Sequence, residues 1–196
     1  MRKIGITGGV GSGKSRVLEF LEDIPKVAVY QADVIARELQ CPDQECYEAI
    51  VAHFGTEILS EDQTIDRARL GGLVFSDKAK IMVLNGLVHP LVNRKIEELI
   101  LEEEKRGTEI FVLEAALLTE KFYREILDEI WYIYTEESVR RERLRSSRNY
   151  TDEKITDMIR SQPTEEEFRG VCDRILDNSG KFEDTIEQIN HLLKSS

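Results

Sequence analysis

Residues 8 to 15 of this 196-residue chain read Gly8-Gly9-Val10-Gly11-Ser12-Gly13-Lys14-Ser15, directly after the apolar run Lys3–Thr7. The segment satisfies the pattern G-x-x-x-x-G-K-[ST], in which a strand leads through a glycine-rich loop into a helix. Glycines allow successive backbone N–H groups to turn towards one anion, and the positive end of the following helix adds to the same site. We therefore predict a loop that binds a nucleoside triphosphate, with contacts from Gly9, Val10, Gly11, Ser12, Gly13, Lys14 and Ser15.

Two side chains of this loop carry the predicted chemistry. Lys14 supplies a mobile positive charge for the β- and γ-phosphates of the nucleotide, and the hydroxyl of Ser15 can be a ligand for Mg²⁺. The alternative is a flexible turn that fits the pattern by chance. The apolar strand before the loop and the helical pattern of Lys14–Leu21 after it favour the phosphate site.

The composition limits the classes of function that the chain can have. It has 38 acidic and 27 basic residues, a formal net charge of −11 and 41% hydrophobic residues, which suits one folded domain of moderate size. The acidic balance argues against a non-specific nucleic-acid binder, and no apolar run approaches the roughly 20 residues of a membrane span. Three scattered cysteines and three scattered histidines predict neither disulfides nor a zinc site. A start without a signal-peptide core predicts a cytoplasmic location.

Apolar, β-branched runs alternate with helical patterns along the chain. The predicted strands are Lys3–Thr7, Lys26–Tyr30, Ile110–Glu114, Ile130–Tyr134 and roughly Val171–Leu176. Near-continuous apolar strands that alternate with helices predict an α/β fold, with a five-stranded parallel sheet covered by helices on both faces.

Two long gaps between strands predict insertions into this core. The 79 residues between Tyr30 and Ile110 read mostly as helix, over Gln44–Phe54, Asp66–Val74, Lys78–Leu87 and Val88–Arg106. We interpret residues 34–106 as a helical subdomain inserted near the carboxyl ends of the strands, where ligands bind. Residues 136–170 are predicted to form a lid of two helices with a mobile turn near 146–151. The nucleotide-binding core then comprises residues 1–33, 107–135 and 171–196.

Asp33 and Glu114 are candidate functional carboxylates because each stands at or just after the end of a predicted strand. Asp33 either accepts the proton of an acceptor hydroxyl or caps the helix that begins at Val34. Glu114 stands where a carboxylate can order Mg²⁺ or its water. His89, before Pro90, is either part of the turn that starts a helix or an imidazole that faces the substrate.

Five arginines lie within nine residues, at Arg140, Arg141, Arg143, Arg145 and Arg148. In a chain of net charge −11, this concentration favours a role in stabilising a transferring phosphoryl group, and the alternative is a solvated helix paired with nearby acids. The Asn-Lys-x-Asp sequence of guanine-binding switches and the Leu-Ser-Gly-Gly-Gln sequence of transporter ATPases are both absent. A small-molecule kinase fits these features best. The turn at Asn178 either lies near the adenine or caps the final helix.

Taken together, these residues resemble the dephospho-coenzyme A kinase family over nearly the whole chain. The matching segments are Ile6–Ser15, Ala32-Asp33-Val34-Ile35-Ala36-Arg37, His53-Phe54-Gly55, Asp66-Arg67 with Leu70, Val74-Phe75, His89-Pro90-Leu91, Gln162 and Asn178 with Gly180. Many families share the phosphate-binding loop (P-loop), whereas the Ala-Asp-x-Ile-Ala-Arg and His-Pro segments in this order are specific to this one. The resemblance implies a P-loop kinase with a nucleotide core, a helical substrate domain and a lid.

The resemblance also implies a reaction, in which ATP phosphorylates the ribose 3′-hydroxyl of dephospho-CoA to give coenzyme A and ADP. The implied catalytic residues are Asp33 as the base, Lys14 and Arg141, and the implied further ATP contacts are Arg145 and Asn178. The acceptor is expected to contact Thr7, Asp33, Arg37 and His89. The expected partners are the two substrates, with Mg²⁺ as cofactor, and the expected state is a monomer or small homo-oligomer.

Four features depart from the family pattern, and two other functions stay open. Gln31 stands where the family usually has a first Asp, Glu114–Leu118 lacks the usual proline, and Arg16 stands where P-loop kinases commonly carry Thr. The usual spacing of the lid arginines is also stretched by one residue between Arg143 and Arg148. One alternative is another P-loop kinase, for a nucleoside monophosphate or similar small acceptor. The other is a nucleotide-dependent binding switch without acceptor transfer.

Overall fold

A computed structural model describes residues 1–75, 77–116, 118 and 121–194, so that Leu117 in the segment without proline lies outside the described residues. The chain forms two compact units. The sheet unit comprises Met1–Val29 and Glu103–Ser196, and the helical unit comprises Tyr30–Glu102. The predicted division into core, substrate domain and lid stays a prediction.

Strands and helices alternate along the described chain. The strands are β1 (Arg2–Thr7), β2 (Val27–Gln31), β3 (Ile110–Glu114), β4 (Glu129–Tyr134) and β5 (Arg174–Asp177). The helices are α1 (Lys14–Glu22), α2 (Ala32–Leu39), α3 (Glu45–Phe54), α4 (Arg67–Val74), α5 (Lys78–Arg106), α6 (Lys121–Ile126), α7 (Glu137–Arg148), α8 (Asp152–Arg160), α9 (Glu165–Val171) and α10 (Phe182–Lys194), with a 3₁₀ turn at Thr56–Ile58.

The strands form one five-stranded parallel sheet in the order β2-β3-β1-β4-β5, which confirms the predicted α/β fold. β1 lies at its centre and pairs in parallel with β3 on one side and β4 on the other. The register places Ile6 opposite Glu114 and Thr7 opposite Tyr132. The carboxyl ends of β1, β3 and β4 therefore meet at the edge of the sheet where the glycine loop begins.

The core of the sheet unit is built from the inner strands and two covering helices. Ile4 and Ile6 of β1 are fully buried, as is Trp131 of β4, and they pack with Val17, Leu18 and Leu21 of α1 and Ile189 of α10. Trp131 packs within the fourth strand, as the sequence predicts. Burial of these side chains fixes the position of β1, and hence of the loop that follows it.

The segment between β4 and β5 holds three helices, α7 to α9, and the prediction of two is wrong. The additional helix, α9, begins with a capping box in which Thr164 accepts from the Glu167 N–H and Glu167 accepts from the Thr164 N–H. The predicted fifth strand is also displaced, because Val171 ends α9 and β5 spans Arg174–Asp177. Phe168 of α9 is buried with its ring stacked on Tyr132, and this contact favours helix over strand here.

α5 of the helical unit is one continuous helix of 29 residues, although the sequence predicts a break between Leu87 and Val88. Pro90 lies inside it, where proline removes one backbone hydrogen bond and crowds the carbonyl four residues earlier. Apolar side chains on both sides of Pro90, including Val88 and Leu91, pack on the same buried cluster. This shared contact keeps the helix continuous through the proline, and His89 therefore does not start a helix.

The described part of the chain contains no helix that combines the length and apolarity of a membrane span. Its three cysteines are free, as predicted, with Cys46 buried and Cys41 exposed. Within the same residues, no group of three or more His, Cys, Asp or Glu side chains is arranged to hold a metal ion.

Candidate functional site

The glycine loop joins β1 to α1 and follows a path that requires glycine. Gly11 and Gly13 have φ angles of +75° and +85°, in the left-handed region that other residues rarely adopt. A Cβ atom at Gly8 would lie 2.7 Å from the backbone carbonyl oxygen of Ile133. The loop therefore packs against the end of β4, and the predicted glycine pattern follows from this close approach.

Lys14 and Glu114 come together beside the loop, as the register of β1 and β3 requires. Nζ of Lys14 donates to the carbonyl oxygens of Gly8 at 2.6 Å and Gly9 at 3.4 Å, and it lies 3.9 Å from Oε1 of Glu114. Ser15, in the first turn of α1, is exposed. The predicted phosphate and Mg²⁺ residues thus occupy one edge of the sheet with a cation and a carboxylate in place.

The carbonyl oxygen of Ser12 is held by three donors from three different segments. Nδ2 of Asn178 lies at 2.7 Å, Oγ1 of Thr135 at 3.0 Å and Nη1 of Arg143 at 3.3 Å. Ser12, Thr135 and Asn178 are buried. The side-chain oxygen of Asn178 in turn accepts from Thr185 at 2.9 Å, so both ends of its amide are used. Asn178 therefore holds the loop in place through the Ser12 carbonyl.

The peptide groups around Val10 are held by two side chains of the segment between β4 and β5. The Val10 N–H donates to Oε1 of Gln162 at 2.8 Å, and the Val10 carbonyl accepts from Nε of Arg140 at 2.8 Å. Nη2 of Arg140 also donates to Oε1 of Gln162 at 3.2 Å. Burial lowers the pKa of Arg140 from its ordinary value, and the guanidinium remains a cation because that value is so high.

Four of the five arginines of α7 divide into two sets. Arg140 and Arg143 contact the backbone of the loop. Arg141 bonds to Glu137 at 2.8 Å and Thr156 at 3.0 Å, and Arg145 bonds to Asp152 at 2.6 Å, so both predicted residues are bonded to side chains of α7 and α8 rather than to the loop among the residues that the structure describes.

Sequence reasoning did not single out Arg140 and Arg143 from this set, although the sequence contains one signal for them. Leu144 is the buried residue of α7 and marks its inner face. Arg140 lies four positions before Leu144 and therefore on the same face of the helix, and Arg143, next to Leu144 in sequence, lies at the border of that face. Thr135 and Thr185 carry no comparable signal.

A pocket of about 180 Å³ lies next to the loop. Its lining residues are Gly13, Arg16, Arg143, Asn178, Gly180 and Phe182. The guanidinium of Arg16 lies over the Phe182 ring, 4.0 Å from its centroid. Burial and then the nearby charge of Arg16 lower the pKa of Arg143. In the part of the chain that the structure describes, neither arginine pairs with an acid.

The helical unit carries three of the predicted acceptor residues. Asp33 is exposed in the first turn of α2, whose N-cap is Gln31, so the alternative in which Asp33 caps the helix is wrong. Arg37 is exposed in the last turn of the same helix. His89 lies within α5.

Thr7, the fourth predicted acceptor residue, belongs to the sheet unit and is buried at the end of β1. Its hydroxyl donates to the carbonyl of Ala116 at 3.0 Å. This bond ties the start of the glycine loop to the segment after β3.

Comparison with known proteins gives consistent results. A family model described as dephospho-CoA kinase matches residues 2–184. A dephospho-CoA kinase from Carboxydothermus hydrogenoformans is 38% identical over 191 residues, covering 97% of this chain and 92% of the relative. A solved structure of a Thermus thermophilus protein has a TM-score of 0.80 and 30% identity, covering 98% of this chain and 96% of that one. A dephospho-CoA kinase from Campylobacter jejuni, at 23% identity and a TM-score of 0.64, shares the fold and covers 97% of each chain.

We expect the substitution Asn178→Leu to lower the free energy of unfolding by about 2–4 kcal/mol, because it removes two buried hydrogen bonds at similar volume. The control is Asn190→Leu, on the exposed face of α10, which should change the free energy of unfolding by less than about 0.5 kcal/mol. Urea unfolding of both variants measures the difference. Equal effects would show that the Asn178 amide does not hold the loop.

Proposed function

The chain belongs to the dephospho-CoA kinase family, and we propose how its residues share the work of the family's reaction. The chain is a phosphotransferase that uses ATP to phosphorylate dephospho-CoA in coenzyme A biosynthesis, at the alcohol of the ribose 3′ position. The predicted function and the predicted P-loop kinase fold are therefore confirmed. The proposal concerns the residues, the metal ion and the two substrate sites.

The observation that carries the proposal is the group formed by the glycine loop, Lys14 and Glu114. Phosphoryl transfer depends mainly on positioning and on neutralising charge at the phosphates. Backbone N–H groups of the loop, that of Gly11 among them, bind the phosphates together with the N-terminus of α1, whereas the Val10 N–H is already bonded to Gln162. Lys14 now donates to two loop carbonyls, and we propose that it exchanges them for oxygens of the β- and γ-phosphates.

Mg²⁺ fits the donors that the loop offers. A hydroxyl from Ser15 and a carboxylate from Glu114 are the oxygen ligands that Mg²⁺ prefers, and the ion usually keeps several waters as well. Ser15 would bind the ion directly, and Glu114 would hold one of its waters. When bound, the ion neutralises charge on the β- and γ-phosphates.

The pocket beside Gly13 would hold the base of ATP. A planar guanidinium stacks well on an aromatic base, and the Arg16 guanidinium already lies over the Phe182 ring. Asn178, predicted as an ATP contact, lines the same pocket. Both ends of its amide are hydrogen-bonded within the protein, so we propose that Asn178 shapes the pocket rather than binding the base through that amide.

The acceptor hydroxyl would hydrogen-bond to the Asp33 carboxylate. Since Gln31 is the N-cap of α2, the Asp33 carboxylate is exposed and not committed to capping, which leaves it able to accept a proton. Arg37 and His89 would contact the acceptor, as predicted. The Thr7 hydroxyl is bonded to Ala116, and we propose that it supports the loop instead.

Arg141 and Arg145 remain the candidates for stabilising the negative charge of the transferring phosphoryl group. Their partners Glu137 and Asp152 are largely exposed, and exposed ion pairs are weak enough to exchange for a phosphate. Arg140 and Arg143 are bonded to the loop backbone. Cytoplasmic location, the lack of nucleic-acid and membrane partners, and a monomeric or small oligomeric state stay predictions.

The acceptor is tested by measuring ADP release from ATP and Mg²⁺ with dephospho-CoA, with nucleoside monophosphates and without an acceptor. We expect release to depend on dephospho-CoA, because the helical unit follows the specific family pattern. Faster ADP release with a nucleoside monophosphate would support a P-loop kinase for that acceptor. Binding of ATP without ADP release would support a nucleotide-dependent binding switch.

Asp33→Asn should lower kcat by roughly 10²- to 10⁴-fold, because it removes the proton acceptor while keeping the size of the side chain. The dissociation constant for ATP should stay near that of the unsubstituted chain. Glu48→Gln, which also removes an exposed first-turn carboxylate in the helical unit, is the control and should leave kcat unchanged. An unchanged kcat in Asp33→Asn would exclude it as the base.

Arg16→Lys should raise the KM for ATP by about fivefold, because lysine keeps the charge but loses the planar group that stacks. Inhibition by inorganic tripolyphosphate, which has no base, should be unaffected. If both ligands weaken equally, Arg16 acts on the phosphates and the base lies elsewhere.

A further inference from the structure

We propose that Gln162 is a positioning residue for phosphoryl transfer, which sets the shape of the P-loop by holding the two peptide groups on either side of Val10. The proposal rests on the proposed function, because it assigns Gln162 a role in binding ATP at this loop. The two residues involved, Gln162 and Arg140, form a closed ring of hydrogen bonds with Val10, which we call the Val10 clamp.

The Val10 clamp has three hydrogen bonds, two of which share one acceptor atom. Oε1 of Gln162 accepts from the Val10 N–H at 2.8 Å and from Nη2 of Arg140 at 3.2 Å. Nε of Arg140 closes the ring by donating to the Val10 carbonyl at 2.8 Å. Because both groups that face Oε1 are N–H donors, only one orientation of the Gln162 amide satisfies them.

The backbone at Gln162 is itself fixed from both sides. Its N–H donates to the carbonyl of Ile159 at the end of α8, at 3.2 Å. Pro163 follows directly and restricts Gln162 to extended conformations. Thr164 then begins α9 with its capping box. The side chain of Gln162 is therefore presented to the loop by a short, constrained segment.

The clamp decides which way the N–H groups of the loop point. In a trans peptide the C=O and the N–H point in opposite directions. Holding the Val10 carbonyl therefore fixes the direction of the Gly11 N–H, one of the groups proposed to bind phosphate. Holding the Val10 N–H likewise fixes the Gly9 carbonyl, which accepts from the Ser12 N–H at 3.2 Å and faces Lys14.

Loss of the clamp would leave this part of the loop free to rearrange. Gly9 and Gly11 flank Val10, and Gly11 already has a φ angle of +75°, so the adjoining peptides can rotate at little steric cost. A rotated peptide would present a carbonyl oxygen to the phosphates in place of an N–H. Gln162 thus acts on ATP through the backbone of the loop.

Gln162→Met is the direct test, because methionine fills similar space and offers no comparable acceptor. We expect the KM for ATP to rise about tenfold, with the KM for dephospho-CoA within about twofold of the unsubstituted value. Direct titration with Mg²⁺ and ATP in the absence of acceptor should show the same loss of affinity. Unchanged ATP affinity, or an equal rise in both KM values, would overturn the proposal.

Gln188→Met is the matched control. Gln188 also holds a peptide group by its amide, accepting from the Asp177 N–H and donating to the Asp177 carbonyl, both at 2.9 Å. Its loss should lower the thermal unfolding temperature without separating the two KM values. If Gln188→Met raises the KM for ATP as much as Gln162→Met does, instability explains both results and the proposal fails.

A double-mutant cycle with Arg140→Lys tests whether the two side chains act as one clamp. If they do, the double variant should bind ATP within about twofold of the weaker single variant. If the fold-increases of the ATP dissociation constant in the two single variants multiply in the double variant, the two side chains act independently and the clamp is excluded. The titration needs no acceptor, so a failure of this proposal is distinct from a failure of the acceptor assignment, which appears as missing ADP release with dephospho-CoA.

Discussion

The site depends on how the carbonyl groups of the glycine loop are satisfied. A loop that offers its N–H groups to phosphate must turn its carbonyls the other way, and buried carbonyls need donors. The Ser12 carbonyl has three donors, from the end of β4, from α7 and from the end of β5. These three segments are far apart in sequence. Since each of them supplies a hydrogen-bond donor to the same carbonyl oxygen, buried polar side chains pack against the loop.

The sequence predicts the parts of the fold that rest on local patterns. The glycine motif and the apolar runs identify β1 to β4 to within one or two residues, because buried parallel strands leave a strong pattern. The errors occur where tertiary contacts outweigh local signals. Packing on both sides of Pro90 continues α5 through a proline, and the stacking of Phe168 on Tyr132 extends α9 over the predicted start of β5.

The candidate site is predictable in its residue types more than in its assignments. The sequence shows that α7 is rich in arginine, and the structure shows which face of the helix meets the loop. Net charge carries no such information. The chain has a net charge of −11, yet Arg16 and Arg143 stand together at the pocket without an acidic partner among the described residues. This pocket therefore carries two cations in a chain whose overall charge is negative.

Trp131 gives the chain a built-in spectroscopic reporter. It is the only tryptophan in the sequence, and in β4 it is fully buried beside the central strand. Its fluorescence therefore comes from one site in the core, and exposure to water on unfolding shifts that emission to longer wavelength. Since the ring packs in the core with β1 and α1, a shift of its emission to longer wavelength reports the opening of the sheet core itself.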